Sequence, residues 1–295
     1  MVPRIFAATA AVLAFCVVAA AQDQKSDSNG PLETTSLLGR KLYALPDDDG
    51  AIQAAQTKLA ADPKNAALIL QVSKAHAAKR QYREAVAMCT RGLTVAPDNA
   101  PLLLERGHRE LGLRDFSAAL ADLQKAVAIN PKQLDEFYHL GLAHYFLRHF
   151  DAAAQAFQKA QDLANMPDSV IDCSNWLYVS LRRAGKEQEA AAVLTGVTPD
   201  LKNTEPHLLF YLRLLHFYQG TIPESEILPA KPVDANDLEG ELAFDTTGYG
   251  VGNWHLYNGQ PEQAQPLFKS VVTGNAWNSW GFIGSEIELA KRGGG

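Results

Sequence analysis

Three histidines, His139, His144 and His149, recur at intervals of five residues and are the first candidates for metal chemistry. Zn²⁺ is held by three or four donors around one ion, and imidazole nitrogen is a common one. On an α-helix, five residues advance about 500°, so successive histidines point roughly 140° apart and cannot share one ion while all remain helical. The spacing therefore predicts no metal site, and we expect no cofactor.

The sequence lacks the motifs that usually carry catalytic or nucleotide chemistry. It has no His-Glu-x-x-His, no Gly-x-Ser-x-Gly and no phosphate-binding glycine loop. Gly248, Gly250 and Gly252 stand at the start of an expected helix without a preceding strand, which argues against a nucleotide site. The acidic run 47–49 lacks the spaced ligands of a calcium loop. We therefore predict a protein without catalytic residues.

The first 21 residues have the pattern of a secretory signal peptide. Arg4 precedes an uncharged run that ends at Ala21, and Ala19 and Ala21 supply the small residues that signal peptidase requires. We predict cleavage after Ala21, a periplasmic or secreted mature protein, and a disordered tether over residues 22–32. Two alternatives stay open, an uncleaved membrane anchor and lipidation at Cys16. The apolar run is slightly short for a bilayer, which needs about 20 residues, and Phe15 occupies a position where lipidation needs a small side chain.

Charge and cysteine usage restrict the partners. The formal charge of −6 becomes −7 when the signal peptide removes Arg4, and no basic tract is present. The sequence therefore offers no basic surface that would bind nucleic acid or anionic lipid. We expect membrane attachment only through an uncleaved signal or lipidation. Cys89 and Cys173 would remain in the mature chain. They fall in separate helix pairs, so we expect two buried thiols rather than a disulfide.

The elements that must position any site follow a 34-residue period. Four alanines stand 34 residues apart, and prolines follow the first three of them after twelve residues: Ala51, Ala85, Ala119, Ala153, Pro63, Pro97 and Pro131. A repeat of this length is typical of paired helices stacked into a solenoid. We predict an all-α solenoid over residues 33–292, with its clearest units at 66–99, 100–133 and 134–167.

The flanks of this array are less regular. Leu37, Leu38 and Leu42 suggest an additional helix before the turn near Pro46. After Ala153 the next equivalent alanine comes 37 residues later, and the array continues with weaker units. We expect an inserted loop at 229–237, a closing helix from about 276 to 292 that covers the exposed end of the solenoid, and a frayed tail at 293–295.

The repeats resemble those of tetratricopeptide repeat (TPR) proteins. That family places an apolar-small pair in its first helix, then a small residue, an aromatic and another small residue in its second, and ends with a proline. Two units carry this order, with Leu140, Gly141, Ala153, Phe157 and Ala160 in one and Gly107, Ala119, Ala126 and Pro131 in the other. The sequence departs from the family at one position. Where the family has an aromatic residue near the end of the first helix, this sequence has His76, Glu110 and His144.

The resemblance implies a right-handed superhelical solenoid of about six to seven antiparallel helix pairs, the later ones degenerate. It also implies a concave groove, lined by the first helices, that binds a protein or peptide segment. The candidate partner-binding residues are Leu104, His108, Tyr138, Leu142, Tyr145, Phe146, Arg182 and Arg183. The alternative is that Tyr138 and Tyr145 pack against neighbouring helices instead of facing a groove.

The last part of the chain is similar to NlpI-like bacterial envelope lipoproteins, through a Gly-x-Trp-His-Leu-Tyr helix ending at Tyr257, an alanine-centred helix and a closing helix. The function that we predict is a non-catalytic scaffold or adaptor in the bacterial cell envelope. Two alternatives stay open. One is an enzyme with a site among His207, His216, Trp254 and His255. The other is a structural assembly subunit, which would expose an apolar patch on a terminal repeat.

Overall fold

The computed structural model describes residues 30–229 and 237–292. The predicted signal peptide, residues 22–29 of the predicted tether, residues 230–236 of the predicted loop and the tail 293–295 lie outside the described residues. Within the described ranges, no helix combines the length and the apolar composition needed to cross a bilayer.

The described chain consists of one β-hairpin followed by helices. The hairpin strands are β1 (Leu32–Thr35) and β2 (Lys41–Tyr43). The helices before residue 200 are α1 (Ala51–Ala61), α2 (Ala66–Ala78), α3 (Tyr82–Val95), α4 (Ala100–Leu113), α5 (Phe116–Ile129), α6 (Leu134–Phe146), α7 (Phe150–Leu163), α8 (Pro167–Arg183) and α9 (Glu187–Leu194). After a short 3₁₀ turn at Pro206–Leu208 come α10 (Leu209–Tyr218), α11 (Glu224–Ile227), α12 (Leu238–Tyr257), α13 (Pro261–Val271) and α14 (Trp280–Arg292).

The predicted helix pairs are confirmed. Helices α2 and α3, α4 and α5, α6 and α7, α8 and α9, and α12 and α13 pack as consecutive partners. The first helices also contact each other along the array, α2 with α4 and α4 with α6, so we take them to form the inner, concave side. The pair that begins with α10 is degenerate, because its second helix, α11, has only four residues and begins after Pro223.

Local sequence signals set the helix ends. The side chain of Asn65 accepts hydrogen bonds from the Ala67 and Leu68 amides at the start of α2, and Asn99 accepts one from the Leu102 amide at the start of α4. These side chains satisfy amide groups that have no partner within the helix. The second helix α3 ends at Val95, two residues before Pro97, because proline cannot continue a helix.

The alanine ladder marks the points where helices cross. Ala85, Ala119 and Ala153 are fully buried. At Gly141, a Cβ atom would lie 2.7 Å from the ring of Phe157 in the partner helix, so the crossing tolerates only the smallest side chains. Ala51 does not belong to the ladder, because it is exposed at the first position of α1.

The prediction of a helix around Leu37, Leu38 and Leu42 is wrong. Residues 32–43 form an antiparallel hairpin instead, so Leu32, assigned to the tether, begins a strand, and the described chain is not purely α-helical. Gly39 adopts φ 85° in the connecting turn. Distant parts of the chain hold the hairpin, since Arg40 donates to the carbonyls of Val272 and Gly274 at 3.0 and 2.6 Å. Such long-range contacts leave no signal in local periodicity.

Three arginines form a second ladder with the same period. Arg80, Arg114 and Arg148 lie 34 residues apart and have positive φ angles of 54°, 68° and 65°. Each lies in the turn that follows the first helix of a pair. Corresponding turns after α8 and α12 use glycines, Gly185 and Gly259, which adopt this left-handed conformation without steric cost. An arginine in that position points to a role for its side chain.

The arginine ladder binds the C-terminal layer, which we define as α12, α13, α14 and the segments that connect them. Arg80 Nη1 donates to the Asn275 carbonyl at 2.8 Å. Arg114 Nε lies 2.9 Å from Glu286 Oε2, with the two side chains 4% and 0% exposed. Arg148 Nη1 lies 2.9 Å from Glu288 Oε1. The C-terminal layer is therefore attached to the turns of three successive repeats.

Helix α14 packs against the concave side of the solenoid as well as covering its end. Phe282, Ile283 and Glu286 are fully buried, and the Trp280 ring packs at a tilt against His108 of α4 and Phe146 of α6, with ring centroids 5.3 and 5.9 Å apart. The closing helix that the sequence predicts thus lies along the concave side and fills much of it.

One departure from the repeat pattern places a carboxyl group in an unfavourable environment. Glu110 stands where related repeats have an aromatic residue. Its Oε2 is buried and has no hydrogen-bond partner among the described residues, and Arg106 Nε lies 4.0 Å from Oε1. Burial, followed by the nearby Asp122 carboxylate, raises the pKa of Glu110 to about 8. Glu110 therefore takes up a proton on folding at neutral pH.

We predict that Glu110→Gln stabilises the protein in a pH-dependent manner. A carboxyl pKa that is raised on folding contributes full stability below its unfolded value of 4.5, and that contribution is lost as the pH rises through about 8. The variant should match the wild type near pH 4.5 and exceed it by about 4 kcal/mol at pH 8, because each pH unit between the two pKa values is worth about 1.4 kcal/mol. Urea unfolding at both pH values measures this. The exposed Glu262→Gln serves as control, and an equal effect at both pH values would contradict the assignment.

We predict that Arg114→Ala destabilises the protein by about 3 to 5 kcal/mol, because it leaves the Glu286 carboxylate buried and unpaired. Adding Glu286→Gln should restore part of the loss by removing that charge. The matched control is Lys125→Ala, which breaks the exposed pair with Asp98 and should cost about 1 kcal/mol or less. Denaturant unfolding of the four proteins measures the differences. Equal losses for Arg114→Ala and Lys125→Ala would show that the C-terminal layer does not depend on this pair.

Candidate partner-binding cleft

A cleft of about 720 Å³ remains open on the concave side. Helices α2, α4 and α6 contribute most of its lining. The other lining residues are Leu45, Arg80, Tyr82, Leu238 and Asn278. Two of the predicted partner-binding residues, Leu104 and His108, lie here. The cleft therefore coincides with the predicted groove only at its N-terminal end.

His108 and His139 form a pair in this cleft, with ring centroids 4.3 Å apart. The Nδ1 atom of His139 lies 2.8 Å from the Asp135 carbonyl, so Nδ1 carries the proton and donates it. Burial lowers the pKa of both histidines, and the positive charge of Arg109 lowers that of His108 further. Both imidazoles are therefore neutral at pH 7 and act as hydrogen-bonding groups rather than charges.

The charged groups of the cleft differ in how far they are already paired. Arg109 forms an ion pair with Glu105 at 2.9 Å, and its guanidinium lies over the ring of Tyr82. Lys74 is exposed and makes no ion pair with any carboxylate of the described residues. No Ser, Thr or Cys side chain is among the described residues that line the cleft. This combination of apolar walls and available polar groups is suited to binding.

Four predicted groove residues are instead packed inside the protein. Leu142 is fully buried, and Tyr145 and Phe146 are nearly so. The Tyr145 hydroxyl accepts hydrogen bonds from Tyr249 at 2.9 Å and Asn253 at 2.8 Å, both in α12.

Tyr138, the fourth, is buried as well, and its hydroxyl donates to Asp172 at 2.9 Å. The expectation of an accessible aromatic groove at these positions is wrong, because neighbouring helices and the C-terminal layer cover them. The alternative, in which Tyr138 and Tyr145 pack against other helices, agrees with the structure.

Arg182 and Arg183 also face the C-terminal layer. Arg183 Nη1 lies 2.8 Å from both Asn253 Oδ1 and Glu288 Oε1. Arg182 donates to Asn258 at 2.8 Å, and its guanidinium lies over the ring of Tyr257. Both groups are committed to internal contacts. The two arginines therefore extend the docking surface for α12 and α14 and lie apart from the open cleft.

Of the residues considered for an enzymatic site, the three whose side chains are described, His216, Trp254 and His255, do not converge on a polar pocket. His216 Nδ1 is bonded to Gln219 at 3.0 Å, and His255 is bonded to Gln260 at 2.6 Å and to Glu224 at 3.0 Å. Trp254 packs against Phe217. The side chain of His207 lies outside the described set.

The three regularly spaced histidines are likewise distributed between two places. His139 lies in the cleft, whereas His144 packs against His149 with ring centroids 5.8 Å apart. Among the described residues, no group of three or more His, Cys, Asp or Glu side chains could hold a metal ion. Cys89 and Cys173 are both free and buried.

Sequence reasoning missed the arginine ladder. The signal was present, because Arg80, Arg114 and Arg148 repeat at the same 34-residue spacing as the alanines. Their left-handed backbone conformation was not visible in the sequence. The acidic partners of Arg114 and Arg148 were not visible either, because Glu286 and Glu288 lie more than 100 residues further along the chain.

Comparison with known proteins identifies one repeat by its sequence. A family model described as "Tetratricopeptide repeat" matches residues 137–165, which lie in the pair formed by α6 and α7. No curated protein matches the chain in sequence.

Several solved structures are similar to parts of the chain. A crystal structure of MamA is 25% identical and covers 49% of this chain and 83% of its own, with a TM-score of 0.45. A MamA RS-1 ArsTM double mutant is 21% identical and covers 59% of this chain and 88% of its own, with a TM-score of 0.46. A tetratricopeptide repeat protein from Parabacteroides merdae ATCC 43184 is 19% identical and covers 81% of this chain and 90% of its own, with a TM-score of 0.49.

The helix pairs of the structure and the family match at 137–165 agree with each other. The chain is a helical solenoid that contains a tetratricopeptide repeat.

Proposed function

We propose that this protein is a non-catalytic scaffold of the bacterial cell envelope that holds a segment of a partner protein in the concave cleft. The observation that carries the proposal is the cleft itself. It lies on the inner face of α2, α4 and α6, where repeats of this type bind protein segments, and the C-terminal layer leaves it open. Its volume of about 720 Å³ is within the range of ligand sites in proteins, about 300 to 1,000 Å³.

The chemistry of the lining supports a peptide-like partner. Leu45, Leu104 and Leu238 offer apolar contact, and His108 and His139 offer hydrogen-bonding nitrogen atoms beside them. Lys74, which pairs with no carboxylate of the described residues, supplies a cation at the same place. A protein segment combines apolar side chains with backbone donors and acceptors, so it can engage both kinds of group at once.

An envelope location rests on the N-terminal sequence. The uncharged run that ends at Ala21, and the small residues Ala19 and Ala21, support export and cleavage. An NlpI-like adaptor role for envelope enzymes is the more specific form of this proposal, and the resemblance of the last helices supports it.

A structural assembly role is the second candidate, because one observation favours it. Leu37 and Leu38 are 41% and 44% exposed on the N-terminal hairpin, and Leu32 on the same hairpin is also exposed. Leu37 and Leu38 are adjacent in the sequence, and contiguous exposed apolar surface is common at protein contacts. In this role the hairpin, rather than the cleft, would contact other proteins.

We predict that a photo-crosslinking residue in the cleft captures a specific partner. Ala78 is exposed and lines the cleft, so p-benzoylphenylalanine at this position would lie within reach of a bound segment. The labelled protein is irradiated with the native envelope fraction, and the adducts are identified by mass spectrometry. His108→Ala in the same protein should reduce the yield of the adduct, because it removes one wall of the site.

Two control positions separate the candidates. Ala121 is exposed on α5, outside the cleft, and should give no adduct with that partner. Leu38 tests the hairpin. Capture at Leu38 without capture at Ala78 would support the assembly role and contradict the cleft. Equal capture at Ala78 and Ala121 would also contradict it, because such contact would not be specific to the concave face.

We predict that the mature protein begins at Gln22. Intact-mass measurement of the protein recovered from its native cells tests this, since cleavage after Ala21 gives one defined mass. Retention of residues 1–21 would contradict cleavage and support an anchor. A lipid-sized mass increase on a chain that begins at Cys16 would support lipidation instead.

A further inference from the structure

The His108 ring, on the wall of the cleft, is held by a neighbour that fixes the position of its proton. Arg109 Nη2 lies 3.3 Å from His108 Nδ1. A guanidinium group can only donate hydrogen bonds, so the Nδ1 atom of His108 accepts one and carries no proton. Arg109 is positioned for this contact by Glu105, whose Oε1 atom accepts from Arg109 Nε at 2.9 Å. In the neutral ring of His108 the proton is therefore on Nε2.

The neighbouring His139 ring has the opposite tautomer. Its Nδ1 atom donates to the Asp135 carbonyl at 2.8 Å, because a carbonyl oxygen can only accept. The Nε2 atom of a neutral His139 ring then carries a lone pair and no proton. Burial lowers the pKa of both histidines, so both rings are neutral at pH 7 and each keeps its tautomer.

The second nitrogen atoms of the two rings lie close together in the same cleft. The ring centroids are 4.3 Å apart, the ring planes are tilted by 41°, and both residues line the cleft. Among the described residues, neither Nε2 atom has a hydrogen-bond partner, and neither is one of the buried polar atoms that lack one. Both atoms are therefore accessible. The cleft presents a donor, His108 Nε2–H, beside an acceptor, His139 Nε2.

Neighbouring aromatic rings hold this pair in place. The Trp280 ring of α14 lies 5.3 Å from the His108 ring and 6.3 Å from the His139 ring, centroid to centroid. The Tyr138 ring meets His139 edge to face at 5.3 Å. Side chains that are already fixed lose little conformational freedom when a ligand binds. The pair is therefore a preorganised site with one defined hydrogen-bonding pattern.

A carboxamide group matches this pattern, because it carries an accepting oxygen and a donating N–H side by side. A carboxylate only accepts, so one of its oxygens would face the lone pair of His139 Nε2. An ammonium group only donates, so it would face the N–H of His108. We propose that His108 and His139 select an Asn or Gln side chain of the bound segment, a proposal that rests on the cleft holding a protein segment.

The tautomers are tested by long-range ¹H–¹⁵N NMR of the imidazole rings in the purified protein at pH 7. We expect the proton on Nε2 in His108 and on Nδ1 in His139. The variants His108→Phe and His139→Phe assign the two sets of signals. The same tautomer in both rings, or a doubly protonated ring at either position, would overturn the proposal.

The selection is tested with three capped peptides, acetyl-Leu-Xaa-Leu-methylamide, in which Xaa is Gln, Glu or Met. The three side chains have similar length, and the caps remove terminal charges and terminal carboxamides. Glu is included because Lys74 lines the same cleft and attracts carboxylates. Titrations are followed by the backbone amide signals of residues 74–78 and 104–109. The Gln peptide should bind at least about fivefold more tightly than the other two, since it alone engages both nitrogen atoms.

The outcomes separate this proposal from the proposed function. Equal binding of the three peptides would overturn the selection of a carboxamide and leave binding in the cleft intact, because the backbone that they share would then account for it. Tighter binding of the Glu peptide would also overturn it. If none of the three peptides binds, both the selection and the binding of a protein segment in the cleft are contradicted.

A matched pair of variants tests the role of the His108 proton. His108→Phe keeps a ring beside His139 and removes the donor, so it should bind the Gln and Met peptides about equally. His149→Phe is the control, because His149 is exposed at the start of α7 and does not line the cleft. It should keep the preference for Gln. An unchanged preference in both His108→Phe and His139→Phe would overturn the proposal.

Discussion

The buried ion pair between Arg114 and Glu286 is the contact on which the arrangement of this solenoid depends. Arg114 ends the first helix of one repeat in a left-handed conformation, and Glu286 lies on the last helix of the chain. Burial raises the pKa of Glu286, and the Arg114 charge opposes that change. Removing either group would lower the stability of the fold, because a buried, unpaired charge is strongly destabilising. The pair therefore fixes where α14 can lie.

The neighbouring repeats add contacts of the same kind. Arg80 binds a carbonyl before α14, and Arg148 and Arg183 share Glu288 within it. Because these groups recur on successive repeats, they bind the C-terminal layer along the array rather than at one point. The layer then covers Tyr145 and Phe146 and leaves the cleft beside Leu104 and His108 as the accessible part of the concave side. The protein's own C-terminal layer thus occupies part of the inner face of the solenoid.

The sequence was sufficient to predict the repeated part of the fold. The buried alanines Ala85, Ala119 and Ala153 and the prolines that end second helices report local geometry, and local geometry repeats with the sequence. The hairpin at 32–43 and the path of α14 were not predictable in this way, because both depend on partners more than 100 residues away. Of the candidate binding residues, only Leu104 and His108 line the open cleft. Tyr145 and Arg183 lie on the same repeated helices, but the C-terminal layer covers them, and Tyr138 packs against α7 and α8.

Hydrogen exchange of the backbone amides tests the central claim, that the C-terminal layer is an integral part of the solenoid. The amides of α14, Trp280–Arg292, should exchange as slowly as those of α6, Leu134–Phe146, because both helices belong to one packed interior and open together. Exchange is followed by mass spectrometry of peptides that cover the two helices. Fast exchange throughout α14 beside slow exchange in α6 would contradict the account, since it would show a terminal segment that leaves the concave side open.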